Sequence, residues 1–144
     1  MSAPTKPAKV PISSASASIS RPSPAVTVGV AWIIPGAGHF LQGQFRKAAI
    51  FFVVLMFMFA CGLAFGGREF SFQMSDPLIA LASAAQWALG GPRLLAAVGG
   101  WGPGDLVATT YEYGNTFLIV AGLLNCLIAL DAFDVASGRK ARTA

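Results

Sequence analysis

Charge is what this chain has least of: ten Lys and Arg and six Asp and Glu make up 11% of its 144 residues, against about 25% in soluble domains. With 55% hydrophobic residues, that deficit reads as a chain built for lipid, with room for one modest domain. The basic residues are scattered as Lys6/Lys9, Arg46/Lys47 and Arg139/Lys140/Arg142, and no run of five or more Lys and Arg occurs. Without a continuous basic face, the net charge of +4 does not make a nucleic-acid partner. Histidine occurs once, at His39, and cysteine twice, at Cys61 and Cys126, each alone in an apolar stretch. These counts exclude a self-contained zinc site and leave the thiols as small hydrophobes. A haem or chlorin on His39 needs a second ligand from another chain, so no cofactor is expected. No nucleophile with an attendant base stands out, and a catalytic role is not expected either.

Three apolar runs are present. Residues 1–24, with five prolines, seven serines and no acid, have too little apolar surface to offset ordering and are read as a disordered tail. A helical membrane domain is expected over 25–138, followed by a basic C-terminal tail over 139–144. The first run, Ala25–Ile34, is ten residues long before Pro35 and Gly36, half of what a span needs. It is expected to form a short helix that re-enters at PGAG, or a helix kinked there and continuing to about Gln42. A signal-peptide reading, with Lys6, Lys9 and Arg21 ahead of the apolar core, is the third option.

The second run, Lys47–Gly67, holds 20 uncharged residues between Lys47 and Arg68, the length of a transmembrane helix. Gly62 and Gly66, with Ala60 and Ala64, have the spacing of a helix-packing face. The third, Thr116–Phe133, is the second transmembrane helix; Asn115 is its candidate N-cap and Gly138 its stop. Ala121, Asn125 and Ala129 share one face, which must meet another helix because Asn125 in lipid would lack partners. Between these spans, Leu78–Gly100 is interrupted by Gly90–Arg93 and is expected as two short helices, interfacial or packed over the membrane domain. Trp87, Trp101, Tyr111 and Tyr113 would anchor them. The fold class is therefore all-α and membrane-embedded: two spans, a short re-entrant or kinked N-terminal helix, and interfacial helices in the middle region.

Lys and Arg beside spans favour the cytoplasm, which puts both Arg46/Lys47 and the C-terminus inside and makes the protein multi-pass. Arg46 and Lys47 open their helix while Asp131 and Asp134 close theirs, so both pairs oppose the helix dipole. Cross-helix pairing between them would clamp the two spans together; the plainer alternative is two solvated acids beside a basic tail. His39, between Gly38 and the rest of the turn, is expected to bond carbonyls at the broken helix, or Asp131.

The stretch Pro35, Gly36, Gly38, His39, Phe40, Gly43 resembles the turn of the two-transmembrane domain family, small bacterial membrane proteins. The ending YEYGNTFLIVAGLLNCLIALDAFDVASGRK resembles the C-terminal helix of an uncharacterised bacterial family of unknown function. These resemblances imply a membrane hairpin in the bacterial inner (plasma) membrane and no particular chemistry. The expected role is an accessory or scaffold subunit whose partners are the bilayer and another membrane protein or further copies of itself. The alternatives are a small oligomeric transporter or channel component around Asn125 and His39, and a lipid-acting enzyme using His39, Asp131 and Asp134.

Overall fold

The computed structural model describes residues 23–140; of the expected tails, 1–24 and 139–144, only Ser23, Pro24, Arg139 and Lys140 fall in that range, with Ser23 and Pro24 opening the first helix. Among the described residues there are six helices and no strand, only a single antiparallel bridge between Arg68 and Pro103. Two helices are long and apolar enough to cross a membrane: α3, Phe45–Ala64, and α6, Tyr111–Ala136. At 1.5 Å per residue they measure about 30 Å and about 39 Å. They run antiparallel. Gly62 near the end of α3 faces Leu118 and Gly114 near the start of α6, while Ile50 and Asp131 line one groove at the opposite end.

The N-terminal run breaks where proline and glycine require it. Helix α1, Pro24–Ile33, starts from Ser23, whose hydroxyl accepts from the Val26 amide at 3.3 Å, and stops ahead of Pro35. Gly36, at φ +81°, then turns the chain into α2, Ala37–Leu41. A side chain at Gly36 would meet the Ala48 carbonyl oxygen at 2.6 Å, so the turn is pressed against α3. The run turns back on itself and does not continue as one kinked helix: Gly38 of α2 packs against Ala31 and the Thr27 carbonyl of α1.

The middle region forms α4, Pro77–Trp87, and α5, Gly91–Gly99. Asp76 caps α4 through its carboxylate, which accepts from the amides of Leu78 at 2.9 Å and Ile79 at 3.3 Å. Helix α4 packs against α6, and α5 touches α1. Gly122 on α6 lets the α4 backbone come so close that a side chain there would overlap the Ala85 carbonyl at 1.8 Å. The junction of α4 and α5 thus reaches the midpoint of α6 from the end opposite to the one where α1 starts.

There the two breaks meet. Gly90 and Gly91 abut the carbonyls of Trp32 and Ile33; added side chains would lie 1.8 and 2.1 Å from those oxygens. Gly90 has φ +70° and ψ −116°, a conformation essentially closed to other residues. The C-terminal end of α1 therefore meets the N-terminal end of α5, which joins opposite ends of two helix dipoles. At 10 and 9 residues, about 15 Å and about 13 Å, the pair together match one span that neither makes alone.

Several expectations are corrected. Helix α6 begins at Tyr111, so Asn115 is not its N-cap; its buried side chain instead accepts from the Arg68 amide at 2.8 Å. The helix continues through Gly114 because that glycine packs backbone to backbone on Gly67. Gly62 is a packing position, whereas Gly66, at φ +78°, lies beyond the end of α3 and terminates it. Trp87 is half-buried, with its ring beside the Arg93 guanidinium and its carbonyl accepting from Trp32 Nε1 at 3.1 Å where the two breaks meet. Gly138, at φ +74°, does follow the last turn of α6 as expected.

Candidate functional site

Polar side chains gather at two places. The first is where α2 and the start of α3 meet the end of α6. Gln42 donates its Nε2 to the Ala132 carbonyl at 2.6 Å, tying the α2–α3 turn to α6. The His39 imidazole is fully buried, tilted against the Phe51 ring at 5.3 Å between centroids. Its Nδ1 lies 3.2 Å from Gln44 Oε1, and its Nε2 lies 3.4 Å from Asp131 Oδ2, within ion-pair range but off hydrogen-bond alignment. Burial holds this imidazole below its ordinary pKa against the pull of Asp131, and the cations Lys47 and Lys140 act in the same direction as burial. Asp131 is bonded by Lys140, and Asp134 lies 3.8 Å from Arg139 in an exposed pair.

This corrects the expected clamp. Asp131 and Asp134 take their cations from the chain just past their own helix, where Gly138 turns Arg139 and Lys140 back, and not from Arg46 and Lys47. Of the two partners expected for His39, it is Asp131 that lies nearby, and Gly38 allows the close packing here, for a side chain at Gly38 would strike Ala132 Cβ at 2.8 Å and Ala31 Cβ at 2.9 Å. Gly43 and Pro35 complete the turn, Gly43 at φ +77°. Both His39 nitrogens are directed at side chains of this protein, so an added ligand would have to displace Gln44 or Asp131. Among the described residues no three His, Cys, Asp or Glu side chains are grouped as a metal site.

The second place is in the other half of the bundle. Arg93, in the first turn of α5, pairs with Glu69 and donates to the Phe70 carbonyl at 3.2 Å, with its guanidinium 5.0 Å from the Trp87 ring centroid. Both side chains are buried, at 7% and 6% exposure. Burial pushes the Glu69 carboxyl up to about 7, against the pull of Arg93. Gln86 clamps the same segment twice, accepting from the Phe70 amide at 2.8 Å and donating to the Arg68 carbonyl at 2.9 Å. Ser83 adds a bond to the Phe70 carbonyl at 3.1 Å. Between the two clusters, Asn125 donates to the carbonyls of Ala88 at 3.0 Å and Leu89 at 3.4 Å, just past the end of α4. Ala121 and Ala129 are buried on the same face, as the sequence pattern required.

Glu69 and Arg93 were not singled out by sequence reasoning, although a signal existed. A cation two residues after Gly91 opens a helix against its dipole, the same mismatch that drew notice at Arg46 and Lys47, and it calls for a nearby acid. Gln86 and Gln42 carry no spacing signature.

No curated protein and no solved structure matches the chain. The whole helical unit, from the start of α1 to the turn after α6, is one family unit: the model of a family of unknown function, DUF6677, matches residues 26–141, and the chain belongs to that family.

Proposed function

We propose that this is a non-enzymatic, multi-pass protein of the bacterial inner membrane that serves as an accessory or scaffold subunit, with its basic end, including the C-terminus, in the cytoplasm. One observation supports a structural role above the others. The amides of Gln42, Gln86 and Asn125, with Asn115, Ser83 and Arg93, are bonded to backbone groups of this chain: Arg68 and Phe70 in the connection after α3, Ala88 at the α4–α5 break and Ala132 in α6. Backbone freed inside a bilayer must find such partners, and here the buried polar side chains answer that need. The surface left over is apolar, with Val53, Phe57, Leu95 and Leu127 all well exposed for lipid or for a partner's helix. The resemblance of Pro35–Gly43 to the two-transmembrane domain turn fits the same reading.

The test is photo-crosslinking in native membranes from the exposed residues Phe57 of α3 and Leu95 of α5. A discrete protein adduct at either position, including a second copy of this chain, supports the subunit reading; adducts to lipid alone at both contradict it.

A transporter or channel component is the second reading. It draws on the meeting of two broken helices near the middle of α6, an arrangement many transporters use for binding. Reconstituted vesicles discriminate: solute or ion flux above that of empty vesicles supports this reading, and its absence across small ions and amino acids supports the structural one.

A further inference from the structure

Both carboxylates at the basic end are engaged, Asp131 by Lys140 and Asp134 by Arg139. Among the described residues, Arg46 and Lys47 have no carboxylate within ion-pair distance, although Lys47 lies near enough to Asp131 to act on it electrostatically. Both lie in the first turn of α3, where the helix dipole adds further positive potential, and Gln44 at its N-cap position makes no side-chain cap. Lys47 shares its stripe of α3 with Ile50, Phe51 and Val54, by the three- and four-residue spacing of a helix face. That stripe forms one wall of an open groove of about 380 Å³; Leu124, Leu127 and Ile128 of α6 form the other, and Asp131 stands at the polar end. An apolar trough between the two long helices, opening at an end where Arg46, Lys47, Arg139 and Lys140 outnumber Asp131 and Asp134, suits an amphiphile with an acyl chain and an anionic head.

We infer that this groove holds one acyl chain of an anionic phospholipid drawn from the surrounding bilayer, with the headgroup phosphate against Lys47 and beside Arg46. Basic sites between spans on the cytoplasmic side recognise anionic headgroups in this way. A zwitterionic lipid fits less well: its ammonium needs a free carboxylate, and Asp131 is already neutralised by Lys140. The site rests on the bilayer placement proposed above but not on the existence of a protein partner.

The test uses the purified full chain in mild detergent, with lipid retention read by native mass spectrometry for phosphatidylglycerol and phosphatidylcholine of identical chains. Phosphatidylglycerol is expected to bind about fivefold tighter, the effect of about one basic contact. Lys47→Gln removes that preference, Lys47→Arg keeps it, and Leu127→Trp, which fills the trough from an exposed wall, weakens both lipids. Inorganic phosphate does not compete, because the chain contributes to binding. Equal binding of the two lipids by the unmodified protein, or a preference that survives Lys47→Gln, overturns the site. Flotation with liposomes separates the two levels: a chain that fails to float contradicts the bilayer placement, whereas one that floats without lipid preference contradicts only the groove.

Discussion

At the α1–α2 break the chain closes on itself: the Ala37 amide bonds the Ile34 carbonyl at 3.0 Å, and the amides of His39 and Phe40 return to Gly36 at 3.0 and 3.3 Å. At the α4–α5 break the local turn is also present, with Gly90 donating to Trp87 at 3.0 Å, but a second helix must supply Asn125 and a buried ion pair stands beside it. The backbone of the first break is bonded locally, whereas that of the second also draws a donor from a distant helix. That difference predicts where the fold is most fragile, and it explains which part of the molecule could be read from residue order.

The largest effect should come from the α4–α5 break. Arg93→Met leaves the Glu69 carboxyl buried without its cation and is expected to cost about 3–5 kcal/mol. Adding Glu69→Gln should recover much of that loss, as read by denaturant titration in detergent; no recovery would mean that the two side chains act independently. Gly90→Ala comes next, at about 3 kcal/mol, because it combines a forbidden backbone conformation with overlap on the Trp32 carbonyl.

Glu69 also gives the α4–α5 break a pH dependence. Its folded-state pKa of about 7 lies above its ordinary 4.5, so the fold retains a proton that the unfolded chain releases. Stability from this group is full in acid and falls as pH rises toward the folded value. Thermal midpoints compared between about pH 5 and about pH 8 should show that decline, and Glu69→Gln should flatten it.

Smaller effects sharpen the contrast between the breaks. Asn125→Ala strips the Ala88 and Leu89 carbonyls of their donor, and Gln42→Ala strips only the Ala132 carbonyl of α6; each should cost about 1 kcal/mol. Asn125→Ala should in addition raise proteolysis around residues 88–90, which Gln42→Ala leaves protected. Smallest of all, Asp134→Asn removes an exposed pair and should change the thermal midpoint hardly at all, within about 0.5 kcal/mol.

The legibility of the fold follows the same division. The spans and the first break were readable, because apolar length, Pro35 and Gly36 act within a few residues of themselves. The interruption at Gly90–Arg93 was also visible, but its place in the bundle was not, since that depends on Gly122 admitting the Ala85 carbonyl from a distant part of the chain. At the candidate site, the approach of His39 to Asp131 was foreseen from the shared level of the two helix ends. The partner cations were misassigned because Arg139 and Lys140, returned by the turn at Gly138, reach the acids without crossing between helices. Asn125 announced its need for a partner but not which carbonyls would meet it.

In the bilayer placement proposed above, the junction of α4 and α5, which meets the end of α1 beside the middle of α6, would lie within the membrane between the two long helices. Single-cysteine labelling with a membrane-impermeant maleimide, in a background with Cys61 and Cys126 replaced, tests this most directly. The account predicts that Met74 and Leu106 label from one side of the membrane, Ser137 from the other, and Leu89 from neither. Labelling of Met74 and Leu106 from opposite sides, or free labelling at Leu89, would contradict it.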